Sequence, residues 1–146
     1  MMYFSDKDFR KEDFITSVLD TGEYENCHFY HCDFSNQSFS DCKFIDCVFS
    51  NCNLSLVNFT NTALQNVQFI DSKLSGIQFD TCNPFGFEVS FESCQLNHAS
   101  FFKTKLKKTI FKDTQLQGTD FAEAECALSQ TRHHHRARKP ATDYHV

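Results

Sequence analysis

The chain has 146 residues, the length of one domain with a modest core, and its formal net charge of -5 argues against general affinity for nucleic acid, which depends on neutralising phosphates. No run approaches the roughly 18 apolar residues of a membrane helix, and the opening MMYFSDKDFRKEDF has no signal-peptide core, so a cytoplasmic protein without membrane contact is expected. The 18 Phe, set against no Trp, 4 Gly and 2 Pro, suggest one packing solution used repeatedly rather than an ordinary mixed core.

From the first residues a large apolar side chain recurs at every fifth position. These centres fall at Phe4, Phe9, Phe14, Leu19, Tyr24, Phe29, Phe34, Phe39, Phe44, Phe49, Leu54, Phe59, Leu64, Phe69, Leu74 and Phe79. A strand repeats every 2 residues and a helix every 3.6, so a strict period of 5 is neither. Two residues before each centre lies a second signature of small or β-branched residues, among them Cys27, Cys32, Cys42, Cys47, Cys52, Val57, Thr62, Val67 and Ser72. The other three positions are mostly Asp, Asn, Ser, Lys and Gln. Two side chains in five therefore face inward and three face water. A chain that turns a corner after each short extended stretch satisfies this pattern, and its turns stack at about 4.8 Å like parallel strands. A single turn cannot bury its own Phe, so stability comes from stacked neighbours.

Seven of the eight Cys obey the period and are expected as small buried hydrophobes. A disulfide between Cys of stacked turns is the functional alternative. Free, space-filling thiols are the expectation for a reducing compartment.

Between Phe79 and Phe91 the chain reads DTCNPFGFEVS, and the phase slips by two residues. Pro84 stands where a centre was due; it cannot donate a ladder hydrogen bond, and Gly86 permits unusual backbone angles. A bulge or small loop is expected over 80–90, with Phe85 or Phe87 tucked inward. Pro84, Phe85, Gly86 and Phe87 are candidates for a contact loop. The period resumes at Phe91, Leu96, Phe101, Leu106, Phe111, Leu116 and Phe121, which brings the centres to 23. Lys103, Lys105, Lys107, Lys108 and Lys112 crowd one coil and read as a solvated charged face ahead of a contact for an acidic partner or nucleic acid. After Phe121 the repeat stops. Residues 1–124 are expected to be the solenoid and 125–146 an irregular, disordered tail whose changed composition resembles a truncated or frame-shifted end. His133, His134 and His135 make a weak metal site without a partner cluster, so no metal or cofactor is expected.

The units CDFSN, CKFID, CVFSN, CNLSL and TDFAE resemble the consensus of the pentapeptide-repeat family, A(D/N)LXX with Leu or Phe at the centre, and the resemblance covers roughly residues 4–124. It implies an all-β fold, a right-handed quadrilateral β-solenoid with four pentapeptides per coil and about six coils. It also implies that related chains close with a C-terminal helix used for dimerisation. The tail here does not carry that pattern, which leaves dimerisation open.

A rod filled with Phe offers no pocket for catalysis, and His28, His31 and His98 lie at outward positions without a nucleophile, so a non-enzymatic protein is expected. Residues 1–102 hold 5 Lys and Arg against 14 Asp and Glu. Similarity to the quinolone-resistance group implies an acidic rod of duplex-DNA diameter that occupies the DNA-binding saddle of DNA gyrase or topoisomerase IV and protects it from quinolones. Asp33, Asp41, Asp46, Asp71 and Asp80 would stand in for phosphates. The alternative is a generic interaction or structural module with another protein partner. Clustering of the acids on one face would favour the first.

Overall fold

The computed structural model describes residues 1–125 and the backbone of 142–145. Its strands are β1 (Met2–Ser5), β2 (Asp8–Arg10), β3 (Gly22–Glu25), β4 (His28–Tyr30), β5 (Lys43–Ile45), β6 (Val48–Ser50), β7 (Ala63–Gln65), β8 (Val67–Ile70), β9 (Val89–Glu92), β10 (Ile110–Thr114) and β11 (Thr142–His145). They build the walls of a β-solenoid of about six turns. The first wall is the parallel ladder β1-β3-β5-β7, and the second is β2-β4-β6-β8-β9-β10. A third wall runs through the bridges Asp33–Asn53–Lys73–Gln95–Gln115, and a fourth through Ser38–Asn58 and Gln78–Ser100–Asp120. Partners such as Met2 and Gly22, or Phe29 and Phe49, are 20 residues apart, as four five-residue units per coil require.

The centres point inward and stack. Phe9, Phe29, Phe49, Phe69, Phe91 and Phe111 form one continuous column, with neighbouring rings 4.5–5.3 Å apart and within 14° of parallel. Rings from adjacent walls meet edge to face, as Phe29 does with Phe34 and Phe44 at 6.0 Å. Both arrangements suit the ring quadrupole. Burial is complete for the middle coils. Phe4, Phe9 and Phe14 in the first coil, each with a stacked neighbour on one side alone, and Phe121 near the end of the described residues are only half-buried.

The corners explain the Asp and Asn. Among the described residues sixteen other than Gly have positive φ, and ten of these are Asp or Asn. Each lies two residues after a centre, where the chain turns from one wall to the next. These side chains tolerate the left-handed region better than most because they hydrogen-bond locally. Leu56, with φ of 60°, takes the same conformation without that help.

The phase slip is a local bulge. Asn83 N–H still donates to Thr62 O and Glu88 N–H to Leu64 O, so Pro84–Phe87 protrudes between two intact ladder bonds. Beyond it the register becomes 22 residues, as in Val67–Val89, and then returns to 20 in Phe91–Phe111. Of the two candidates for the inward place, Phe87 packs on the core edge-on to Phe79, while Phe85 is 78% exposed.

Residues 142–145 depart from the expected irregular tail. They form β11, antiparallel to β10, with Phe111 opposite Tyr144. The outer edge of β10 would otherwise present unpaired N–H and C=O groups, and a strand of either direction can satisfy them. The rest of the tail, with Cys126 and His133–His135, lies outside the described residues.

Candidate functional site

Two residues before each centre the side chain faces inward, and the thiols and hydroxyls there share one task. Cys47 Sγ donates to Tyr24 O at 3.2 Å, Cys52 Sγ to Phe29 O at 3.4 Å and Cys94 Sγ to Phe69 O at 3.2 Å. Thr62 Oγ1 reaches Phe39 O at 2.7 Å and Ser72 Oγ reaches Phe49 O at 3.3 Å in the same way. Each bond ties a coil to the centre residue of the coil before it. Cys27, Cys32, Cys42, Cys47, Cys52, Cys82 and Cys94 are all buried free thiols. Burial pushes the Cys47 and Cys94 thiols up to about 12 and the Cys82 thiol higher still. A hydrogen bond with Cys52, together with burial, holds Cys32 protonated well above the ordinary range. Groups of this kind are poor nucleophiles, because the thiolate is the reactive form.

Polar chemistry open to a partner therefore lies on the outer surface. The five candidate acids are spread around it. Asp33 stands on the third wall and Asp80 on the fourth; Asp41, Asp46 and Asp71 occupy three different corners. No single face gathers them. Three are already engaged: Asp33 within its own loop, and Asp41 and Asp46 by neighbouring coils, where Asn61 Nδ2 donates to Asp41 Oδ1 and Asn66 Nδ2 to Asp46 Oδ1, both at 2.8 Å. Asn26 donates likewise to Asp6 at 2.6 Å, so one corner reads Asp6, Asn26, Asp46, Asn66 up the stack. Alternation keeps like charges from lying one rung apart, a separation of about 4.8 Å. Asp33 holds its own loop: its carboxylate accepts from Ser35 N–H at 3.0 Å and Ser35 Oγ at 2.7 Å, which lowers its pKa.

The outward histidines do not converge. His28 Nε2 lies 2.7 Å from Ser50 Oγ, its ring stacks on Tyr30 at 3.8 Å, and Arg10 covers the other ring at 4.4 Å. Burial lowers the His28 pKa. His31 and His98 sit at separate corners with positive φ. Among the described residues no three His, Cys, Asp or Glu come close enough to hold a metal ion, and no helix is long and apolar enough to cross a membrane.

The loop Pro84–Phe87 is a tight turn in which Phe87 N–H donates to Pro84 O at 3.3 Å and Gly86 has φ of +66°. It borders a notch of about 260 Å³ whose floor is Phe79, Cys82, Phe87 and Phe102.

Comparison with known proteins agrees with this geometry. A family model described as pentapeptide repeat region matches residues 23–84, and one described as pentapeptide repeats matches residues 87–126. No curated protein sequence matches the chain. Among solved structures, a trypsin-treated variant of QnrB1, a plasmid-mediated fluoroquinolone resistance protein, aligns with 18% identity and a TM-score of 0.53, covering 86% of this chain and 71% of that one. A second QnrB1 variant aligns with 21% identity and a TM-score of 0.50, covering 84% and 67%. HetL, a pentapeptide repeat protein from the cyanobacterium Nostoc, aligns at 12% identity and a TM-score of 0.32 over 88% of this chain and 66% of that one.

Proposed function

Because the chain belongs to the pentapeptide-repeat family, we propose that it is a non-catalytic, cytoplasmic protein-binding rod whose acidic body takes the place of duplex DNA on a type II topoisomerase such as DNA gyrase or topoisomerase IV. The observation that carries this reading is the division of labour in the coil. The interior is filled by stacked rings, so recognition belongs to outward side chains, and residues 1–102 carry 14 acids against 5 bases there. Complementary charge of this kind speeds encounter with a basic surface and selects against nucleic acid.

Asp71 and Asp80 are the carboxylates to examine, since Asp33 already accepts bonds from Ser35, and Asp41 and Asp46 from Asn61 and Asn66. The spread of acids over all four sides favours a second reading, a generic interaction module with a different protein partner. A gyrase supercoiling assay with and without ciprofloxacin separates the two. The first reading expects binding that weakens as salt rises and weakens further with Asp71→Lys or Asp80→Lys, together with retained supercoiling under drug. A folded solenoid that leaves supercoiling and drug sensitivity unchanged would leave the second reading in possession.

A further inference from the structure

The surface around the phase slip differs from the rest of the rod in both shape and charge. At the corner between the fourth and first walls, the notch beneath the Pro84–Phe87 turn has an apolar floor and a rim of Asp80, Lys103, Thr104 and Lys105. A neighbouring depression of about 230 Å³ shares Phe87 and Lys105 and is lined further by Gly86, Glu88, Lys107 and Lys108. Phe85, between Pro84 of the notch and Gly86 of the neighbouring depression, is 78% exposed, and its N–H donates to Asn83 Oδ1 at 3.0 Å. A large ring kept in water on a rigid support is a contact residue in want of a partner.

The lysines supply the chemistry of that partner. Lys103 lies 4.0 Å from Glu123, an exposed pair worth little. Among the described residues Lys105, Lys107 and Lys108 make no ion pair. Glu125 follows Lys105 on the next rung, and Glu88 and Asp80 line the depressions, yet none of the three forms a salt bridge with these ammonium groups. Three such cations thus line two adjoining depressions, Lys105 at the apolar notch and Lys107 and Lys108 in its neighbour, on an otherwise acidic rod.

We propose that this corner is a docking site for an acidic protein segment that carries one apolar anchor. The anchor fills the notch against Phe79, Phe87 and Phe102, flanking carboxylates meet Lys105, Lys107 and Lys108, and Phe85 closes over the segment. At 260 Å³ the hollow lies below the roughly 300–1,000 Å³ of a small-molecule site and suits a single side chain. This site is independent of the topoisomerase reading, which rests on carboxylates and a basic partner.

Fluorescence anisotropy on the full chain tests it. The probes are a short labelled peptide of glutamate and aspartate around one leucine, the same peptide with glycine for leucine, and an oligothymidine of matched charge. The leucine peptide should bind, and less tightly as salt rises. Combined Lys105→Glu, Lys107→Glu and Lys108→Glu should weaken it at least about tenfold, Phe85→Ala severalfold, and Lys73→Glu on the third wall not at all. The altered side chains are solvent-exposed, so unchanged melting curves establish that each variant is folded. Absent binding of the leucine peptide, equal affinity for the triple variant, indifference between leucine and glycine, or tighter binding of the oligonucleotide would each overturn the proposal.

Discussion

At the scale of the residue, the five-residue unit is a set of backbone demands met by side-chain chemistry. The centre fills a column, a thiol or hydroxyl two before it bonds back to the preceding coil, and the residue two after it takes a left-handed corner. Phe49 illustrates the first demand: it is fully buried between Phe29 at 4.5 Å and Phe69 at 5.3 Å. Phe49→Ala should cost about 3–5 kcal/mol, read from chemical denaturation; a neutral result would mean the column contributes nothing. The second demand yields a pH prediction. Cys47 and Cys94 have folded pKa values raised from 9.0 to about 12, so their stabilising preference for the protonated thiol is intact below 9. The unfolded chain loses those protons first as pH rises, and stability should fall progressively between about 9 and 12. Replacing both by Ser should make that fall shallower, since a hydroxyl does not titrate there while Cys27, Cys42 and Cys82 still do. Thiol reagents should leave all seven described Cys unmodified until the fold is lost, and fast labelling of Cys47 in native protein would contradict its place.

At the scale of the element, the four walls were legible in the sequence and their embellishments were not. A period of five with a small residue two before each centre fixes which side chains point inward, because only stacked corners reconcile it with an apolar interior. The reading of Cys47, Cys52 and Cys94 as space fillers missed their hydrogen bonds. The signal was available, since Thr62 and Ser72 occupy equivalent places and a hydroxyl at a buried site needs a partner. The slip at 80–90 announced a bulge, but Phe85 and Phe87 are chemically identical, and only the turn decides which enters. The acids looked like a surface for a partner; at Asp41 and Asp46 they are corner residues and ladder acceptors as well. Gly22 tests the closeness of the coils. A Cβ there would sit 2.5 Å from Met2 O, in backbone that cannot swing aside. Gly22→Ala should push β1 off β3, costing about 1–3 kcal/mol, with faster amide hydrogen exchange over Tyr3–Ser5 and little change in β6 or β8. Uniform loss of protection along the whole rod would argue against a local clash.

At the scale of the whole molecule, stability is a sum over neighbouring coils. Residues 46–65 are one complete coil, so their deletion should join Ile45 to Asn66 and set β8 directly on β4 with every column in phase. The shortened chain should fold with a smaller denaturant dependence, in proportion to the surface no longer buried. Removing ten residues instead would rotate the remaining walls by half a coil and should prevent folding; if both deletions behaved alike, the 20-residue register would not govern the fold. That same register has a mechanical consequence. One rung adds about 4.8 Å to the rod, while 20 residues drawn out span about 65–70 Å. A force applied along the axis therefore meets a spool whose turns release more than ten times their own height, and a coil detached from one end leaves the next as the new terminus with the same bonds to break. Stretched between two beads, the molecule should lengthen in a series of similar steps, a stair of equal treads where most globular domains give a single fall.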